Sequence, residues 1–292
     1  MAVSRILESV AGGHPMGTIH VERRLERARE LAGPIARLAG VQAIVVAGSV
    51  GRGNADAYSD IEIPIFWDAL PADAVRHDLV AQIGGRFLYG YDGPAQEDQL
   101  MIDGLQVDLW HVTVAEEEAT LDRVVGQLST AAGDLHALDT LCSCVPLHGQ
   151  ALIDGWKRRA AVVPQELWVR VVQEYLNHCG LNDLALLALR DNPTAFAEGL
   201  TRLHESIFRV LQGLNRRYFT TLKWLYPTLD QLAIVPAGAD RRFRSAYGAP
   251  YAEAIEVSRL ILDDVIQLVE EHLPEVDTRR VKSRMAYVRA TF

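Results

Sequence analysis

Asp60-Ile61-Glu62-Ile63 alternates acid and hydrophobe, and Pro64-Ile65-Phe66 continues the apolar run. A period of two suits a strand and not a helix, because successive side chains on a strand point to opposite faces. Asp60 and Glu62 are therefore expected on one face and Ile61 and Ile63 on the other. A chain built on this segment needs a sheet with one face buried in a core and two carboxylates on the opposite face. Two carboxylates so placed repel each other unless a cation lies between them. Mg²⁺ suits them, since it takes oxygen ligands, keeps several waters and commonly bridges carboxylates to phosphates.

Upstream, Val41-Gln42-Ala43-Ile44-Val45-Val46 has the β-branched content of a buried strand and runs into Gly48-Ser49. Glycine at a strand's end lets backbone amides approach a ligand, and a helix starting there favours an anion. Gly48, Ser49 and Arg52 are accordingly the candidate phosphate-binding group. Downstream, Asp103-Gly104 separates Gln99-Leu100-Met101-Ile102 from Leu105 to Val114, the signature of a hairpin. Its returning strand carries Asp108 inside an apolar run, which gives a third carboxylate for the metal. The bland reading, acids on an edge strand, explains one of these residues and not three in order.

Gly48-Ser49, Asp60-x-Glu62 and the isolated Asp108 together resemble the signature of the DNA polymerase β-type nucleotidyltransferase superfamily, over roughly residues 40 to 115. The resemblance is nearest to its antibiotic-modifying and minimal members, and Glu62 stands where many members carry Asp. It implies an α+β fold, a mixed sheet with flanking helices followed by a helical domain. It also implies a Mg²⁺-dependent enzyme, with two ions, an NTP co-substrate and a hydroxyl acceptor such as an aminoglycoside or lincosamide. Asp60, Glu62 and Asp108 would be the catalytic and metal-holding residues. The resemblance further suggests that Asn215, Tyr218 and Lys223 clamp the triphosphate or base from the helical half, against the alternative that they belong to a core and a solvated face.

Composition narrows the partners. The chain has 292 residues and a formal net charge of -9, a poor basis for gripping duplex nucleic acid through Lys and Arg. Three cysteines, Cys142, Cys144 and Cys179, fit neither an even disulfide framework nor a Cys-x-x-Cys pair and read as buried thiols in a reducing compartment. No stretch approaches the roughly 20 apolar residues of a membrane span. Residues 1 to 18 lack a signal peptide's pattern and read as an irregular lead-in. A cytoplasmic enzyme is the expectation, with its oligomeric state left open.

Periodicity predicts helices over 19–38, 71–84, 116–128, 134–142, 150–161, 164–190, 193–214, 219–232, 250–272 and 278–290, with a short strand at 86–91 and a turn at Asp92-Gly93-Pro94. The expected division is an α/β domain over 1–149 and a helical domain over 150–292. Glu116-Glu117-Glu118 reads as a helix's first turn. Asp108, Glu97, Asp98 and His111 are candidates for a general base, although alternation sends His111 away from the face of Asp108. Two other readings stay open: transfer to a protein or a tRNA end, and a nucleotide-binding module without turnover.

Overall fold

The computed structural model describes residues 18–88 and 96–287. Of the lead-in expected over 1–18 all but Thr18, the first residue of a helix, lies outside them, as do the turn expected at Asp92-Gly93-Pro94 and the last residues of the helix expected over 278–290. The chain divides into two compact units, one of residues up to Asp122 plus Thr140–Val162, the other of Arg123–Asp139 plus the chain from Val163. The expected single cut at 149/150 thus differs from the contact pattern, because Gln150–Ala161 packs with the first unit and Arg123–Asp139 with the second.

The first unit is built on six strands: β1 Val41–Val46, β2 Ile61–Trp67, β3 Arg86–Phe87, β4 Glu97–Ile102, β5 Leu105–Thr113 and β6 Val145–His148. Their order across the sheet is β3-β4-β5-β2-β1-β6, and β2 runs parallel to β5 while the other neighbours are antiparallel. β2 and β5 are therefore interior strands, so the acids on them are not edge carboxylates. The hairpin forms as its Asp-Gly pair requires: Asp103 and Gly104 have φ of 49° and 83°, the two positive values of a tight primed turn. Ile102 then pairs with Leu105.

One face of the sheet carries Ile61, Ile63, Ile65, Trp67, Val107 and Leu109 into a core shared with helix α1, Thr18–Ile35. From α1, Ala28, Leu31 and Ile35 enter that core at the spacing of an amphipathic helix. Helix α2 is the single turn Gly48–Gly51, and α3 is Asp73–Gln82, beginning two residues after Pro71. On the opposite face, Trp156 of helix Gln150–Ala161 meets Phe66 edge-on with ring centroids 5.0 Å apart.

The acidic run 116–118 does three jobs instead of one. Thr113 and Glu116 form a capping box for helix α4, Val114–Leu121. Glu118 accepts from Trp156 and Arg159. Glu117 is buried, and burial with the neighbouring Glu118 pushes its carboxyl up to about 7. Helix α5 is Ala132–Ser143, and α6 is Gln150–Ala161.

In the second unit, α7 Gln165–His178 and α9 Pro193–Leu214 pack along each other, with α8 Asn182–Leu189 between them in sequence. Gly213 permits the approach, since a Cβ there would lie 3.0 Å from Val171 Cγ1 and 2.9 Å from Val172 Cγ2. The single helix expected over 164–190 is two, separated by Cys179-Gly180-Leu181. The helix expected over 219–232 shrinks to a 3-10 turn, Leu222–Trp224, and α10, Leu225–Leu229. Phe219 instead lies in irregular chain, donating to Leu135 O at 3.3 Å and accepting from His136. Helix α11, Ala239–Gly248, was not legible as a helix, because its buried face is only Ala239, Phe243 and Ala246. It is followed by α12, Tyr251–His272, and α13, Arg279–Ala286. Cys144 and Cys179 are buried as expected, while Cys142 is exposed. No helix among the described residues is long and apolar enough to cross a membrane.

Candidate functional site

Glu62 on β2 and Asp108 on β5 are direct partners in the parallel register, and Gln99 on β4 is the next residue in the row. Direct partners share a face, so Glu62, Asp108 and Gln99 lie in line across three strands on the side opposite the isoleucine core. Period two adds Gln106 and Trp110 of β5 and Glu97 of β4 to that face. Asp60 immediately precedes the first paired residue of β2, in the lead-in from the loop, and its charge is among those that bear on Asp108. That loop is held from beneath by Arg24, whose guanidinium donates to Ser59 O at 2.8 Å and Ala57 O at 3.2 Å. Asp56 braces it again, accepting from the Tyr58 amide and the Ser59 hydroxyl.

Asp108 is almost completely buried, and Gln106 Nε2 donates to its carboxylate at 3.1 and 3.2 Å. Burial, followed by the charges of Asp60, Glu97 and Glu62, pushes its carboxyl up to about 6 despite the glutamine. The face thus gathers the negative charges of Asp60, Glu62 and Glu97 around Asp108. Gly48 closes one side of it. A Cβ on Gly48 would overlap the Glu62 carboxylate, and its φ of 57° is itself a conformation glycine adopts readily. Ala47 N donates to Glu62 O at 2.9 Å, which ties the turn to the strand. Ser49 is buried and its Oγ has no hydrogen-bond partner among the described residues. Arg52 caps the turn through its N–H to Gly48 O at 3.1 Å. With only four residues, the helix contributes little of the dipole expected for anion binding.

Among the described residues, no group of three or more His, Cys, Asp or Glu side chains already stands in metal-holding geometry. The donor chemistry nevertheless fits a hard cation: paired carboxylates in one row, a raised carboxyl and a glycine that leaves room beside Glu62.

Asp98 and His111 belong elsewhere. Both are buried on the core face, where Asp98 accepts from Arg76 Nε at 3.0 Å and from His111 Nε2 at 2.9 Å. Trp67 Nε1 donates to His111 Nδ1 at 3.2 Å, which places the histidine's hydrogen on Nε2. This closed network leaves neither residue facing Asp108, so neither can serve as its base. Glu97 remains on the acidic face.

In the second unit, Asn215 has its amide engaged by backbone: Nδ2 donates to Leu211 O and Ile234 O, and Oδ1 accepts from Ile234 N. Tyr218 is buried with its ring 5.4 Å from that of Trp168. Lys223 is exposed, its ammonium 5.5 Å above the Trp224 ring. Gln106 and Trp110 were missed by sequence reasoning, although counting by two from Asp108 would have found both.

No known protein family matches the chain, and no curated protein does. Among solved structures it aligns with a nucleotidyltransferase-like protein from Exiguobacterium sibiricum 255-15. That alignment covers 86% of this chain and 79% of the other, at 12% identity and a TM-score of 0.41. A chain of the E. coli MS115-1 CdnC:HORMA-deltaN complex aligns over 91% of this chain and 95% of its own, at 12% identity and a TM-score of 0.31. Superpositions this loose transfer no residue role and no activity.

Proposed function

We propose that this protein is a metal-dependent nucleotidyltransferase that moves a nucleoside monophosphate from an NTP to a hydroxyl of a small molecule. The observation that carries the reading is the pairing of Glu62 with Asp108 on interior strands, with the Gly48 turn against the Glu62 carboxylate. The crowding of Asp60, Glu97 and Glu62 around Asp108 supports it, since such a face is relieved by a cation.

Glu62 and Asp108 would hold Mg²⁺, with Asp60 the third oxygen ligand. When bound, the ions neutralise charge that develops on the triphosphate during transfer and lower the pKa of a coordinated hydroxyl. Gly48 keeps space for the carboxylate and lets backbone amides approach the phosphates. The Ser49 hydroxyl is a donor for a phosphate oxygen. In the transfer, the acceptor oxygen bonds to the α-phosphorus, the bond from that phosphorus to the bridging oxygen breaks, and pyrophosphate leaves. The hydroxyl proton passes to solvent. An acidic chain favours a cationic acceptor of the aminoglycoside or lincosamide type.

The test is to incubate the protein with Mg²⁺, each NTP and a panel of aminoglycosides, lincosamides and nucleosides, and to weigh the products. An acceptor heavier by one nucleotide, with pyrophosphate released and Asp60→Asn inactive, is the expected result. No pyrophosphate from any NTP would sink the proposal.

A further inference from the structure

A separate cleft of about 560 Å³ lies within the second unit, between the start of α8 and the basic helix α13. That volume is in the range of small-molecule sites. Helix α13 reads Arg279-Arg280-Val281-Lys282-Ser283-Arg284-Met285-Ala286, a run of cations in a chain of net charge -9. Two of these cations are neutralised locally, Arg279 by Asp277 and Lys282 by Glu270. The other two, Arg280 and Arg284, line the cleft with Ser283.

Arg284 is set in place by its surroundings. Its Nη1 donates to Asn177 O at 2.6 Å, and its own carbonyl accepts from Asn182 Nδ2 at 2.6 Å. Gly180 makes room for the guanidinium, since a Cβ there would lie 2.6 Å from Nη2. Nε and Nη2 have no hydrogen-bond acceptor among the described residues, and Arg280 has no partner at all among them. A fixed fork of unpaired N–H donors beside a second guanidinium and a hydroxyl matches phosphate oxygens. At the rim, Tyr287 is 60% exposed and offers a ring, Leu186 gives an apolar wall, and Asp183 offers an acceptor.

We propose that this cleft binds a nucleotide, with Arg280, Arg284 and Ser283 on its phosphates, Tyr287 stacked on its base and Asp183 accepting from base or ribose. It is a second nucleotide site, independent of the carboxylate face, and it stands or falls without the transferase reading.

Calorimetric titration of the full chain with ADP in EDTA tests it, because chelation removes the cation the carboxylate face would need. Binding by the parent protein is expected, with adenosine and inorganic phosphate each weaker than ADP. Arg280→Glu, a change at an exposed residue without a partner among the described residues, should weaken ADP about 10-fold or more. Leu186→Trp, which fills the cleft, should do likewise, and Asp108→Asn should leave ADP affinity unchanged. The proposal is overturned if the parent does not bind ADP in EDTA, if Arg280→Glu binds as the parent does, or if Asp108→Asn abolishes binding. Loss of pyrophosphate release in a protein that still binds ADP this way would count against the transferase reading alone.

Discussion

The carboxylate of Glu62 fills the space that a side chain at position 48 would need, and Gly48 holds a φ of 57° beside it. Gly53, a few residues on, has a φ of 75° with nothing within 4 Å of its Cβ position. Gly53→Ala should therefore cost only the left-handed backbone term of about 1 kcal/mol. Gly48→Ala carries that term plus displacement of Glu62, about 2–4 kcal/mol in all, and should abolish pyrophosphate release. Urea denaturation of the two variants checks this. Equal costs would mean that the carboxylate contact is not what the glycine serves.

Asp108 gives a pH signature. Its folded carboxyl titrates at about 6, above the ordinary 3.8, so over that window the folded state holds a proton the unfolded state has lost. Stability contributed by this group therefore falls as pH rises from about 4 to 6 and stays low above that. Asp108→Asn should match the parent near pH 4 and be more stable at pH 7.5 by about 1–3 kcal/mol. Millimolar Mg²⁺ should raise the parent's melting temperature at pH 7.5 and leave the variant's unchanged. A variant less stable than the parent at both pH values would refute the crowding.

His204 behaves in the opposite sense. It is fully buried against Phe243 and Tyr247, and Nε2 lies 2.9 Å from Ser258 Oγ. Ser258 donates its own hydrogen to Ala254 O, so the imidazole donates from Nε2, and Nδ1 has no partner among the described residues. Burial lowers its pKa to about 4, so between 6.5 and 4 the unfolded state takes up a proton that the folded state refuses. Stability is lost as pH falls through that window, by up to about 3 kcal/mol. His204→Leu should flatten the dependence between pH 4.5 and 7, read by denaturation followed at several pH values.

The network under the sheet sets a scale for buried charge. Asp98 is 1% exposed; burial alone would raise its pKa, and the hydrogen bonds from His111 and Arg76 outweigh that and hold it low. Asp98→Ala removes the buried carboxylate that accepts from both Arg76 and His111 and should cost about 3–5 kcal/mol. Asp103→Asn keeps a residue suited to the positive φ of the turn, removes the charge of an exposed partner of Arg27, 2.5 Å away, and should cost under about 1 kcal/mol. Chemical denaturation ranks the two, and comparable losses would show that Asp98 is not buried as described.

Local pattern reached far here where the physics is local. The hairpin at Asp103-Gly104 follows from backbone sterics of two adjacent residues. The boundaries Pro193–Leu214 and Gln150–Ala161 follow from periodicity and flanking breakers within one helix length. Local pattern failed over 219–232, because the partner that holds the Phe219 backbone outside a helix is Leu135, far away in sequence. It placed the acids of 116–118 at a helix's first turn, where Glu116 and Glu117 stand, but the burial of Glu117 depends on packing that no window of sequence contains.

The sequence by itself determined that Glu62 and Asp108 lie on strands, that each points away from its immediate apolar neighbours in the chain, and that Gly48 stands at a bend, since these are consequences of a two-residue period and a missing Cβ. Only the tertiary structure decided that β2 and β5 are parallel neighbours, which puts the two acids opposite each other. It also decided that Asp60 falls short of the paired strand, and that Asp98 and His111 turn into the core. The reason is that register and burial arise from contacts between segments tens of residues apart, and strand pairing can satisfy the same local alternation in more than one alignment.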